Sequence, residues 1–316
     1  MPEISPAFIL AGLFVGFVVG LTGMGGGALM TPALVFFFNV NPLTAISSDV
    51  VTSLFMKPAG AIVHIVRRTA HLGLVLWLCV GSVPAAFLGA VLVDQLRVYD
   101  GFEQILLTIL GVALLVTSGG LIFRAWSTMV RYNSAAGEGP AEPRRPDVEV
   151  RRLVTVLLGA LAGLLVGLTS VGAGSLIITL LLVLYPTLKP SQLVGTDLVQ
   201  AVPLVASASL GHLLFGEVSF DLTLALLIGA IPGAFIGAQV SARAPGGLIR
   251  RALAILLMAS GLKLAGASTE IVLVATGAAI ILGPVVWALL RKRFRGSRSP
   301  NAEPQNSHYV EGESER

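Results

Sequence analysis

Residues 20–27 read Gly-Leu-Thr-Gly-Met-Gly-Gly-Gly, and residues 167–174 read Gly-Leu-Thr-Ser-Val-Gly-Ala-Gly. Gly20, Leu21, Thr22, Gly25, Gly27 and Leu29 therefore recur 147 residues later as Gly167, Leu168, Thr169, Gly172, Gly174 and Leu176. After one inserted residue the offset is 148, and Pro42, Asp49, Val51 and His64 meet Pro190, Asp197, Val199 and His212. Farther on, Gly81, Pro84, Phe87, Gly89 and Ala90 meet Gly229, Pro232, Phe235, Gly237 and Ala238. Shared hydrophobicity pairs leucines by chance, but it does not set glycine, proline, aspartate and histidine in one order at a nearly fixed offset. The chain reads as a duplication.

The medium around the repeats is lipid. Hydrophobic residues make up 55% of the chain and charged residues 12%, against about 25% charged in an ordinary soluble domain. The mean hydropathy is +0.87. Continuous apolar runs, not alternating ones, recur along almost the whole length, and lipid admits only helices or closed barrels. The breaks between runs place helices near 7–22, 24–38, 44–65, 72–95 and 102–124, then near 153–169, 171–185, 192–214, 219–241, 249–266 and 269–290. The expected class is all-α: a polytopic transmembrane bundle of two inverted-topology repeats with about 9 to 11 membrane helices. The inversion follows from parity. Five spans in the first repeat start the second from the other side of the membrane, a common plan of secondary transporters.

Residues 7–126 form the first repeat, 127–152 a cytoplasmic linker, 153–266 the second repeat, 267–292 an additional C-terminal transmembrane helix, and 293–316 a disordered cytoplasmic tail. If every run crosses, all Lys and Arg except Lys57, Arg97 and Lys263 fall on one side of the membrane, which the positive-inside rule makes cytoplasmic. The amino terminus is then outside and the carboxyl terminus inside, as expected in a bacterial inner membrane. Segments 24–38 and 171–185 are short, and re-entrant hairpins remain the alternative for both. No Lys or Arg precedes the first apolar run, so residues 7–22 read as a retained span and not as a signal peptide. The charge of +4 lies at membrane boundaries and in the linker and tail, so no nucleic-acid partner is expected.

Two duplicated elements carry the candidate chemistry. The segments Gly23-Met24-Gly25-Gly26-Gly27 and Ser170-Val171-Gly172-Ala173-Gly174-Ser175 each join two short apolar runs. Interrupted helices at matching positions of two halves point to a midplane binding site. Glycine frees the backbone to expose N–H groups, and a following helix amino end adds positive potential suited to an anion. Singly, each glycine reads equally as a close-packing residue. The second element is Ser48-Asp49 against Thr196-Asp197. Intramembrane carboxylates are costly and mark function, although first-turn helix capping is the plainer reading. Lys57 has no basic counterpart and suits an anion counter-charge, or else snorkels or pairs with Asp49. His64 and His212 occupy equivalent helix ends and suit coupling or gating.

At these elements the sequence resembles the TauE/SafE family of sulfite exporters. Besides the glycine runs, the resemblance rests on Thr31-Pro32, the Ser-Ser-Asp and Gly-Thr-Asp elements, Arg67-Arg68 after the third helix, and the Pro/Gly-rich fourth and ninth helices. It implies a permease moving small sulfur-containing anions, sulfite or an organosulfonate, and adds Thr31 to the substrate-binding candidates. The second glycine run is thinner than the family pattern. A membrane scaffold without transport, or a carrier of another solute class, is the alternative. No catalytic residue, cofactor or metal is expected: a single cysteine, Cys79, and four histidines leave no metal cluster, hydrolase or phosphate-binding motif. The remaining expected partners are the anion and the bilayer, and the oligomeric state is left open.

Overall fold

The computed structural model describes residues 5–22, 27–135, 149–172, 174–188, 190–241 and 246–295, and among them the secondary structure is wholly helical. The helices are α1 (Pro6–Thr22), α2 (Gly27–Phe38), α3 (Pro42–Val66), α4 (Leu72–Leu96), α5 (Phe102–Ala135), α6 (Arg152–Thr169), α7 (Ser175–Leu184), α8 (Pro190–Phe215), α9 (Phe220–Ser241), α10 (Gly246–Leu264) and α11 (Thr269–Arg295). Six of these are long and apolar enough to cross a membrane, within α3, α4, α5, α6, α8 and α9. Their starts follow local rules. At α3, Asn41 caps the helix by accepting the Leu43 N–H at 2.9 Å, and Pro42 fills the first position, where its missing N–H costs nothing. Helix α5 runs on to Ala135, past the start of the expected linker. Residues 125–135 contain no Gly or Pro, so each added residue extends an existing helix at little cost.

The two halves make equivalent contacts. Gly81 of α4 packs against Val156 of α6, and Gly229 of α9 packs against Ile9 of α1; each residue of the second pair lies at the repeat offset from one of the first. Gly159 on Leu78 and Gly12 on Leu226 repeat the relation. In both pairs the helices run parallel with backbones touching, as small-residue stripes permit. Helix α3 runs antiparallel to its counterpart α8, since Val50 meets Ser209 while Gly60 meets Leu198. Helices α5 and α10 are likewise antiparallel, with Ser118 donating to the Ala254 carbonyl and Gly111 against Ala265.

Helices α2 and α7 are half-length. At a rise of 1.5 Å per residue, their 12 and 10 residues span only about 18 and 15 Å, short of the roughly 30 Å of hydrocarbon. Each returns towards the face its partner started from. Phe38 at the end of α2 stacks on Phe8 at the start of α1, ring centroids 5.0 Å apart. Tyr185 after α7 shares a 2.6 Å hydrogen bond with Thr155 in the first turn of α6, again at the repeat offset. Gly27 and Ser170, which flank the two chain breaks, are both buried inside the bundle. Chain directions match the expectation of full crossings, but neither short helix crosses by itself.

Two faces result. Arg67, Arg68, Arg151 and Arg152 are exposed at one, together with the start of α10, which bears Arg250 and Arg251. The other carries Asp94, Arg97, Glu103 and Glu217, tied by Arg97 to Glu217 at 3.3 Å and by Asn41 to Glu103 at 2.7 Å. We call them the basic face and the opposite face.

Candidate functional site

Residues flanking the two breaks meet. Gly27, the first residue of α2, lies so close to Ser170 that a Cβ at position 27 would overlap the Ser170 carbonyl, which is why only glycine serves there. Ser170 ends α6 in the left-handed region at φ 61°, a conformation that costs a non-glycine residue free energy and gathers at functional sites. Gly172 and Gly174 follow at φ 117° and 123°, and Gly174 is the residue from which α7 departs. Residues 23–26, which include the candidates Gly23, Met24, Gly25 and Gly26, lie outside the described residues. Ser175 opens α7. The amino ends of α2 and α7 thus both start mid-bundle and diverge to opposite faces, bringing two positive helix ends towards one centre.

Around this crossing stand the buried charges. Asp49 is 1% exposed, and its Oδ2 accepts a 2.7 Å hydrogen bond from Thr31 of α2. Ser170 and Lys57 also act on this carboxylate. Asp197, equally buried, has the Gly174 backbone N–H, the Gln200 amide, Lys57 and Arg124 beside it. Lys57 is 8% exposed and is felt by both carboxylates, yet among the described residues no ion-pair contact joins it to either one. Its charge acts on one acid from each repeat. One oxygen of each acid, Asp49 Oδ1 and Asp197 Oδ1, and the Gln200 Nε2, are buried with no hydrogen-bond partner among the described residues. Buried polar atoms without partners mark places where a ligand or water completes the pattern.

Several candidates take other positions. The Ser48 hydroxyl accepts the N–H of Ser219 at 3.2 Å, and Thr196 accepts that of His71 at 3.0 Å. These equivalent contacts tie the first turns of α3 and α8 to the segments that open α9 and α4. His212 is fully buried. Its Nδ1 meets the Ser47 hydroxyl at 3.0 Å and its Nε2 the Gly167 carbonyl at 2.8 Å. His64 is only half-buried, and its Nδ1 meets Thr69 at 2.7 Å.

Sequence reasoning missed Gln200, Arg124 and Ser47. Gln200 had a signal: it is a polar residue one turn beyond Asp197 inside an apolar run, held by Ser82 donating to its Oε1 at 3.2 Å. Ser47 had none, because its partner His212 is 165 residues away. Among the described residues no group of three or more His, Cys, Asp or Glu is placed to hold a metal. A cavity of about 840 Å³ between α1, α2 and α10 is lined by Phe14, Leu29, Phe36, Leu253 and other apolar groups. It contains none of the candidate residues and suits hydrocarbon.

Comparison with known proteins fits this architecture. The family profile described as Sulfite exporter TauE/SafE matches residues 8–264. The chain is similar to the probable membrane transporter protein YjnA of Bacillus subtilis (strain 168), 36% identical over 264 residues, covering 82% of this chain and 99% of that protein. It is also similar to YunE and YdhB of the same organism, both named probable membrane transporter proteins. Each is 25% identical over 81% of this chain, covering 95% and 98% of their own lengths. No solved structure matches.

Proposed function

The chain belongs to the TauE/SafE sulfite exporter family, and on that premise we propose that it is a secondary transporter moving a small anion, sulfite or an organosulfonate, by alternating access. The coarser part stands on its own: this is a multi-pass membrane protein of a transporter family. The observation that carries the finer reading is the convergence of two half-helix amino ends and the buried Lys57 on one place between two broken backbones. Exposed N–H groups at helix amino ends and a desolvated ammonium favour an oxyanion. The carboxylates Asp49 and Asp197 keep that positive centre from standing uncompensated when the anion leaves.

Substrate contacts fall to Lys57, to Gly27, Gly172 and Gly174 with the rest of the two breaks, and to the hydroxyls of Thr31 and Ser170. Gln200 adds an amide donor. Ser48 and Thr196 serve the site through the loops they hold. The positive-inside rule puts the basic face in the cytoplasm of a bacterial inner membrane, with the amino terminus outside.

Uptake of labelled sulfite, thiosulfate and C2 sulfonates into proteoliposomes, with and without a pH gradient, tests this. Saturable flux of at least one of these anions that empty liposomes lack is the expected result. Flux of none of them, with flux of a cation or an uncharged solute in their place, overturns the anion reading.

A further inference from the structure

The two halves match in sequence and contact but not in closure. Met56, Gly60, Val63 and His64 form one face of the last turns of α3, and their counterparts in α8 are Leu204, Ala208, Gly211 and His212. All four α8 residues are buried, whereas on α3 all are at least partly open and Val63 is 45% exposed. The cover on α8 is α4: Ser207 donates to the Val83 carbonyl at 2.6 Å, and Phe87 meets Phe215 edge-on at 6.0 Å. The equivalent cover for α3 is α9, and there Ile231 and Phe235, the counterparts of Val83 and Phe87, are 54% and 67% exposed. Two complementary faces stand open towards the basic face, while their copies are sealed at the opposite face.

The histidines follow the same asymmetry. Both engage a hydroxyl through Nδ1, Ser47 for His212 and Thr69 for His64. A carbonyl only accepts, so the proton on His212 Nε2 is donated to Gly167, in the last turn of α6 before the break. Among the described residues His64 Nε2 makes no such bond. Its counterpart acceptor, by the 147-residue offset from Gly167, is Gly20, in the last turn of α1 before the other break.

We propose that His212 and His64 are alternating gate latches: this structure holds the opposite face shut through His212, and in the counterpart conformation His64 latches the Gly20 carbonyl while α3 closes on α9. The inference rests on the alternating-access reading and deepens it, because inverted halves exchange conformations by exchanging contacts. In that second state Val63 and Gly60 pack on Ile231 and Phe235, the basic face is sealed, His212 releases Gly167, and α8 withdraws from α4. The ring nitrogens act as positioning groups for the two breaks and need not touch the substrate.

A crosslinking experiment tests this without any substrate, so its failure is separable from failure of the anion reading. In a Cys79→Ala background, Val63→Cys and Phe235→Cys are joined by a short thiol-to-thiol reagent in membranes. Both positions are exposed in this structure. The expected result is slow crosslinking that rises about tenfold when His212→Ala removes the latch, since one buried hydrogen bond shifts a two-state balance by about that factor. Ser47→Ala, which leaves the histidine in place, gives a smaller rise in the same direction. His64→Ala abolishes the rise. No crosslink in any background, or a yield indifferent to both histidines and to Ser47, overturns the proposal.

Discussion

Thr31 donates its hydroxyl to Asp49 Oδ2 over 2.7 Å with both side chains buried, which ties the first turn after one chain break to the long helix α3. This bond gives the intramembrane carboxylate a fixed orientation. Its loss leaves Ser170 as the hydroxyl beside the acid and unmoors α2 from α3.

Thr31→Val keeps the shape and removes the donor. It is expected to lower stability by about 1–3 kcal/mol, the cost of leaving a buried acceptor unpaired, and to cut anion flux about tenfold. Thr31→Ser stays within about twofold of the parent. Thermal unfolding in detergent and proteoliposome flux read the two effects separately.

Lys57→Met removes the buried cation that acts on both acids, and Asp197→Asn removes one of the acids. Both variants are expected to insert and run as single species in gel filtration, while flux falls by about tenfold or more for Lys57→Met, since a hydrogen bond to a charged group is worth about 1.5–3 kcal/mol. Normal flux in both variants removes these residues from the mechanism.

Gly27→Ala drives a methyl group into the Ser170 carbonyl and forces the breaks apart. Flux is expected to vanish, with folded yield reduced as well. Gly119→Ala, where an added Cβ meets nothing within 4 Å, is expected to shift stability by no more than about 0.5 kcal/mol. Expression and flux of the pair, measured side by side, check the contrast.

Arg67→Cys and Val98→Cys, each in a Cys79→Ala background, sit on the two faces of the bundle and are well exposed. A membrane-impermeant thiol reagent added to intact cells is expected to label Val98→Cys and to spare Arg67→Cys until the membrane is opened. Labelling of Arg67→Cys from outside with Val98→Cys spared reverses the proposed sidedness.

Much of this molecule is legible in one dimension. Apolar runs and Gly/Pro punctuation place the helices within about five residues, apart from the end of α5, which runs eleven residues past its apolar run, because lipid leaves the backbone almost no other choice. The repeat arithmetic goes further: contacts such as Gly81 with Val156 and Gly229 with Ile9 obey the offsets read from the sequence. What is hidden are relations between distant residues. Ser47 reads as a bystander of Ser48-Asp49 until His212 is brought to it, and no local pattern announces that the Ser48 and Thr196 hydroxyls accept the Ser219 and His71 N–H groups. Segments 24–38 and 171–185 already read as short, but whether such a run crosses or stops halfway is not legible, since its residues look the same in either case.

Phe8 on Phe38 and Thr155 with Tyr185 fasten each broken pair at the mouth of its loop. On the alternating-access proposal, a hairpin pinned at its ends moves as one stiff wedge, and the travel that carries cargo comes from wedges sliding against the α3 and α8 shafts. The two pins differ in kind, one an oily ring stack and the other a hydroxyl pair. Solvents that weaken only one of those forces would therefore loosen one wedge and leave its twin intact, giving a handle for jamming transport in a chosen half of its stroke.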